Sequence, residues 1–210
     1  MKVELANTLI GNLKNERESW QIDLEKAKVF KDNLVGDVLI CSGILAYLGV
    51  FVQSYRQECV ETWGTMMKNY NIQSSPDISL KEILGNPVKI SEWASQGLPS
   101  DEVCIDNAII LENSERWSLM IDPQMQANLW LKQKHRGQDN LKTIKPNTSQ
   151  AVIIQVLGNA VNFGYPVILE DATETFDPIL EPVLAKQLQR DGKDVKIRIG
   201  DKPVNYSEEF

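Results

Sequence analysis

The chain has 210 residues, 42% of them hydrophobic and 24% charged, with a formal net charge of −7 and a pI near 4.9. That length and composition fit one or two globular domains with a full core, and the acidic balance leaves no electrostatic footprint for nucleic acid or for another acidic surface. Three cysteines, Cys41, Cys59 and Cys104, are odd in number and form no C-x-x-C pair, which argues for a reduced compartment and against a disulfide framework or zinc site.

Residues 1–34 carry helical periodicity at seven-residue spacing. Val3, Ile10, Arg17, Leu24 and Lys31 form one series, and Ala6, Leu13, Trp20, Ala27 and Leu34 form the other. Together they describe a coiled-coil seam built on Ala6, Ile10, Leu13, Trp20, Leu24 and Ala27, with Glu16, Glu18, Asp23, Glu25 and Lys28 on a charged outer face. Such a seam needs a partner helix, and no second heptad run exists in the chain; the alternative is an amphipathic helix packed on its own domain. The mixed-charge start is not a secretory signal. Gly36-Asp37 is expected to break the helix, with Asp37 as N-cap of a second helix over 38–67. Within it Leu45, Leu48, Phe51, Val52, Tyr55, Val60 and Trp63 read as core. The apolar run 38–52 is shorter than the about 20 residues that span a bilayer. Residues 71–80, with Ser74-Ser75-Pro76-Asp77, read as a loop. Short helices follow at 80–84 and 90–96, the latter capped by Ser91, and Gly97-Leu98-Pro99 is a turn.

The next segment reads as a phosphate-binding loop stripped of its chemistry. An apolar strand over 117–121 leads into Asp122, Pro123, Gln124, Met125, Gln126, Ala127, Asn128 and Leu129, and a helical run continues over 130–134. The length matches Gly-x-x-x-x-Gly-Lys-Ser/Thr, but Asp122 and Ala127 replace the glycines, Asn128 the lysine and Leu129 the metal-holding hydroxyl. Pro123 also lacks an N–H donor. A plain turn after a strand is the competing reading. The lone histidine, His135, lies among Lys132, Lys134 and Arg136 and reads as a solvated helix end.

Downstream, 141–145 is a short strand and 149–163 a helix on which Val152, Val156, Ala160 and Phe163 recur, with Gly164 as its stop. The strand 166–171 ends in Glu170 and Asp171, the place of a Walker B pair; a solvated strand end is the alternative. Asp177-Pro178 opens a helix expected to reach residue 189. Asp191-Gly192-Lys193 breaks it, and strands 195–199 and 203–206 form a hairpin around Gly200-Asp201-Lys202.

Taken in order, these segments resemble the dynein heavy chain, from the base of the stalk into the fifth AAA+ module of the motor ring. The resemblance rests on Leu34-Val35-Gly36-Asp37-Val38-Leu39, Tyr47-Leu48-Gly49-Val50-Phe51 with Tyr55-Arg56, and Trp93-Ala94-Ser95-Gln96-Gly97-Leu98-Pro99-Ser100-Asp101. It continues through Ile105-Asp106-Asn107-Ala108, Leu119-Met120-Ile121-Asp122-Pro123-Gln124, Gly164-Tyr165-Pro166-Val167-Ile168-Leu169-Glu170 and Asp177-Pro178-Ile179-Leu180. The wording is closer to axonemal than to cytoplasmic heavy chains. Met125, where relatives usually carry a small residue, and Asp171, where many carry a neutral one, depart from the pattern.

The resemblance implies an α/β fold: a large subdomain of the AAA+ P-loop-NTPase type, with an incomplete parallel sheet flanked by helices, preceded by the long coiled-coil helix. It divides the chain into a stalk-base helix over 1–34, a helical connector over 35–116 that begins the AAA+ module, and a degenerate core over 117–210. Strand order in AAA+ cores places the fourth strand between the first and third, so the chain is expected to stop before that strand. The resemblance further implies a microtubule motor of the cilium or flagellum axoneme. There this segment would be a non-hydrolysing mechanical ring module with no catalytic residue, metal or bound cofactor. ATP and Mg would be held by other modules. Its partners would be neighbouring AAA+ modules, the other stalk helix, intermediate and light chains, and the microtubule only through the stalk tip; neither nucleic acid nor membrane is expected. The alternatives are a coiled-coil adaptor and an independent nucleotide-binding ATPase.

Overall fold

The computed structural model describes residues 2–137, 140–192 and 194–210, with side chains from Glu16 onward. The side chains of Val3, Ala6, Ile10 and Leu13 in the expected seam, and Lys193 in the expected break, lie outside the described residues. The chain forms two compact units, Met1–Ala94 with Pro99–Ser118, and Ser95–Leu98 with Leu119–Phe210.

The first unit is helical. No proline precedes Pro76, so nothing upstream removes a helical N–H or clashes with a preceding turn. The first helix, α1 (Lys2–Gly43), therefore runs straight through the expected break at Gly36-Asp37. Gly36 serves close packing instead, because a Cβ there would lie 2.2 Å from the carbonyl oxygen of Gln73. Asp37 is not an N-cap: it is 1% exposed and bonded to Ser75.

The chain then widens into a π-helical segment, Ile44–Leu48, turns at Gly49, and re-enters α2 (Gln53–Asn69). The single helix expected over 38–67 is thus two elements. Arg56 accounts for the turn. Its guanidinium donates to the carbonyls of Phe51 and Gly49 at 2.8 and 3.0 Å, taking up acceptors that a helix end leaves without partners. Of the expected core side chains Leu48 is buried, whereas Phe51, Val52 and Tyr55 are exposed.

Three shorter helices complete this unit: α3 (Leu80–Ile83), α4 (Pro87–Ser95) and α5 (Glu102–Asn113). The cap of α4 is Asn86, whose side-chain oxygen accepts from the Val88 and Lys89 amides; Ser91 lies inside the helix. Asp101 caps α5 through the Cys104 amide. The core joins Ile40, Cys41, Ile44 and Leu48 with Met67, Leu80, Trp93, Ile105 and Ile109.

The second unit opens with α6 (Gln126–Lys134), then β1 (Lys142–Ile144), α7 (Gln150–Phe163) and β2 (Val167–Leu169). β1 and β2 pair in parallel, with Ile144 opposite Leu169, and α7 is the crossover that parallel pairing requires. α7 sets Gln155, Asn159 and Asn162 in one polar stripe, opposite its apolar face. It buries Ile153, Leu157, Ala160 and Val161, while Val152 and Phe163, expected on the core face, are exposed. Gly164 ends it in the left-handed conformation at φ 71°, which glycine adopts without strain.

The helix expected over 177–189 is a 3₁₀ turn (Pro178–Leu180) and a short α8 (Glu181–Leu184). Lys186 then adopts φ 46°, and β3 (Leu188–Asp191) pairs antiparallel with β4 (Asp194–Ile199), which pairs with β5 (Lys202–Asn205). The expected hairpin is therefore a three-stranded sheet, because strand pairing overrides the helical preference of 185–189. Ile197 and Ile199 from β4 join Leu157, Val161 and Ile144 in one core.

The expected strand over 117–121 does not form. A strand needs a neighbour for its backbone groups, and no described strand pairs with this segment. Leu119 and Ile121 are exposed, Ile121 by 90%. Leu157→Ala, which empties the centre of the second core, is expected to cost about 2–5 kcal/mol, measured as a lower urea midpoint at unchanged m-value. Val152→Ala on the exposed face of the same helix is expected to change stability by less than about 0.5 kcal/mol. Equal shifts for the two would contradict this orientation of α7.

Candidate functional site

The degenerate loop folds around its own carboxylate. Pro123 and Gln124 carry the chain through a turn closed by the Met125 amide on the Asp122 carbonyl at 3.2 Å. Met125 itself is left-handed, with φ 60°. A side chain in that conformation costs about 1–2 kcal/mol relative to glycine, which gives the departure at this position a physical meaning. The turn brings the Asp122 side chain back over the head of α6. One carboxylate oxygen accepts from the Gln126 amide and the other from the Asn128 amide, each at 2.9 Å. These are the donors that a phosphate-binding loop would offer to its ligand.

The second carboxylate, Glu170, is equally occupied. Its side chain is 8% exposed. One oxygen accepts from the Asn128 amide group at 3.0 Å and from the Lys132 ammonium at 2.5 Å; the Lys145 ammonium lies 3.5 Å from the other. The Lys132 hydrogen bond first, then that of Asn128, hold the Glu170 carboxyl down to about 2.

Asn128 therefore bridges the two acids, giving its backbone N–H to Asp122 and its side chain to Glu170. Asp171 does not join them. It is exposed, turned away from β2 at φ 52°, and pairs with nothing among the described residues. Gln124, Met125 and Leu129 face solvent, and Ala127 is half-buried. Beside Glu170, at the C-terminal ends of β1 and β2, lies a cavity of about 90 Å³ lined by Lys145, Thr173, Phe176 and Asp177. It falls well short of the roughly 300 Å³ at which small-molecule sites begin. Among the described residues, no group of three or more His, Cys, Asp or Glu is placed to hold a metal ion.

Lys132 and Lys145 escaped the sequence reading, although both left a signal. Lys132 stands one helical turn after Asn128 on the same face of α6. Lys145 follows Ile144 as Glu170 follows Leu169, so the parallel register sets the two side by side.

In the seam, Trp20 and Leu24 are exposed by 68% and 55%, and Ala27 is exposed. The opposite side of α1 carries a second apolar row that the heptad reading missed. Ile22, Val29 and Phe30 are also exposed. At 100° per residue they continue the side that buries Asp37, Ile40 and Ile44 farther along. Its signal was Ile22, Val29 and Gly36, themselves seven apart.

Because the folded Glu170 carboxyl titrates below its ordinary 4.5, its pairing stabilises the fold above that value, and the contribution is lost as pH falls toward 2. Urea midpoints measured from about pH 6 down to about pH 2.5 are expected to fall less steeply in Glu170→Gln than in the parent chain. Parallel profiles would contradict the pairing.

Residues 91–210 match the family model described as the ATP-binding dynein motor region, and residues 1–67 that of the microtubule-binding stalk of the dynein motor. The chain is 41% identical over its whole length to dynein axonemal heavy chain 3 of Mus musculus. It is 38% identical over 98% of its length to dynein axonemal heavy chain 6 of Homo sapiens. With the dynein-1-beta heavy chain of the flagellar inner arm I1 complex of Chlamydomonas reinhardtii it shares 37% identity over its whole length. It spans 5% of the length of each of these relatives. The long helix, the parallel β-α-β unit behind a carboxylate-filled loop and these matches lead to one conclusion: the chain belongs to the dynein heavy chain family and covers a stretch of its stalk and motor region.

Proposed function

We propose that this chain is the segment of an axonemal dynein heavy chain in which a stalk helix enters a ring module that neither binds nor hydrolyses nucleotide. The observation that carries this reading is the Asp122 carboxylate on the Gln126 and Asn128 amides. A phosphate placed there would meet a resident anion already holding the Gln126 and Asn128 amides. The missing lysine compounds the effect, because phosphoryl transfer depends on positioning and charge stabilisation. Lys132, one turn after Asn128 on α6, is committed to Glu170. A pocket without ligand-dependent states suits a rigid block that passes movement on.

In the intact motor, on this reading, ATP and Mg act in other modules. The apolar row of Trp20, Leu24 and Ala27 packs on the other stalk helix, and the microtubule is gripped only at the distant stalk tip. Neighbouring ring modules, intermediate chains and light chains complete the assembly, in the axoneme of a cilium or flagellum, as the names of the relatives suggest.

Titration with fluorescent ATP and ADP in the presence of Mg²⁺ tests the reading. Binding no tighter than about millimolar is expected. Saturable micromolar binding that a substitution at Asn128 abolishes would overturn it.

A further inference from the structure

We propose that Asp37 is a positioning residue, the point at which α1 is locked to its helical unit and about which the free part of the helix turns. From Glu16 to residue 32 every side chain of α1 is exposed. Within the next turn this changes: Asn33 is half-buried, and Gly36 and Asp37 are buried. The partner is a single short piece of loop. The Ser75 amide donates to one Asp37 carboxylate oxygen and the Ser75 hydroxyl to the other, both at 2.7 Å. The Asn33 side-chain amide donates to the same hydroxyl at 3.4 Å. Gly36 brings the helix backbone against the Gln73 carbonyl, where no Cβ would fit.

The chemistry makes this contact a lock rather than a greasy bearing. An apolar helix face can slide or roll with partial loss of contact. A carboxylate out of water has no such tolerance, because each lost donor leaves a buried charge unsatisfied. Two short bonds from one residue therefore hold both the axial position and the rotation of α1. Beyond the lock, the helix end is held again by Arg56 on Gly49 and Phe51. Between these holds lies the π segment, Ile44–Leu48, the one stretch of the helix that departs from α geometry. A push along the free helix enters the unit at Asp37 before it reaches that segment. The consequence for movement rests on the reading of the chain as a mechanical link.

Hydrogen exchange on the 210-residue chain tests the lock. Asp37→Ala is expected to speed exchange of amides 33–40 by about tenfold or more, while amides of α5 stay unchanged. Asp37→Asn keeps an acceptor for the Ser75 amide and can donate to its hydroxyl, so it should stay within about threefold of the parent. Unchanged exchange over 33–40 in Asp37→Ala, or an equal rise in α5, would overturn the proposal. If Asp37→Ala does not fold, Ser75→Ala, which removes only the hydroxyl bond, decides by the same pattern. In the complete heavy chain, Asp37→Ala is expected to keep ATP turnover without microtubules and to lose its stimulation by them. Stimulation retained alongside the faster local exchange would leave the lock standing and overturn the mechanical-link reading.

Discussion

Backbone N–H groups at the head of a helix must find acceptors, and in α6 the acceptor comes from within the chain. Asp122 supplies it with both oxygens. A carboxylate at this place typically stabilises a helix by about 0.5–2 kcal/mol, and it also orients the rest of the site. With the first turn fixed, Asn128 and Lys132 lie on the face turned to Glu170. Glu170 in turn is placed by the parallel pairing of β1 and β2, its amide bonded to the Ile144 carbonyl. The helix, the loop and the sheet are thus tied through two acids and the groups that neutralise them. The donors that hold the loop together are the same backbone amides that a phosphate ligand would need.

The helical unit obeys a comparable rule with different residues. Its longest element is exposed for most of its described length and becomes part of a core only where glycine and aspartate let a loop approach. Gly36 removes a side chain, Asp37 supplies an acceptor, and Gly43 admits Trp63, whose ring would sit 2.8 Å from a Cβ there. Small or polar residues, not large apolar ones, decide where α1 stops being free.

Much of this architecture was legible in the sequence. The long helix, the strand–helix–strand order of 142–169 and the β4–β5 hairpin all come from periodicity and turn residues. The sequence also placed the negative charge of Asp122 at this loop, but not its two bonds to the Gln126 and Asn128 amides. The features that escaped depended on distant partners. Gly36-Asp37 resembles a helix break when seen alone, and only the loop 73–75 shows why it is a contact. Residues 188–190 favour a helix, and pairing with β4 overrides that preference. Residues 117–121 have every local mark of a strand and no described neighbour to pair with. In α7 the expected row of Val152, Val156, Ala160 and Phe163 falls between the buried face and the polar stripe of Gln155, Asn159 and Asn162, so Val152 and Phe163 are exposed.

The central claim is that a resident carboxylate fills the anion site of this loop. The most direct measurement is of the Gln126 and Asn128 amide resonances during a titration with inorganic phosphate, in the parent chain and in Asp122→Ala. The account predicts that both resonances stay in place in the parent chain and shift with added phosphate once the carboxylate is removed. A saturable shift in the parent chain would contradict it.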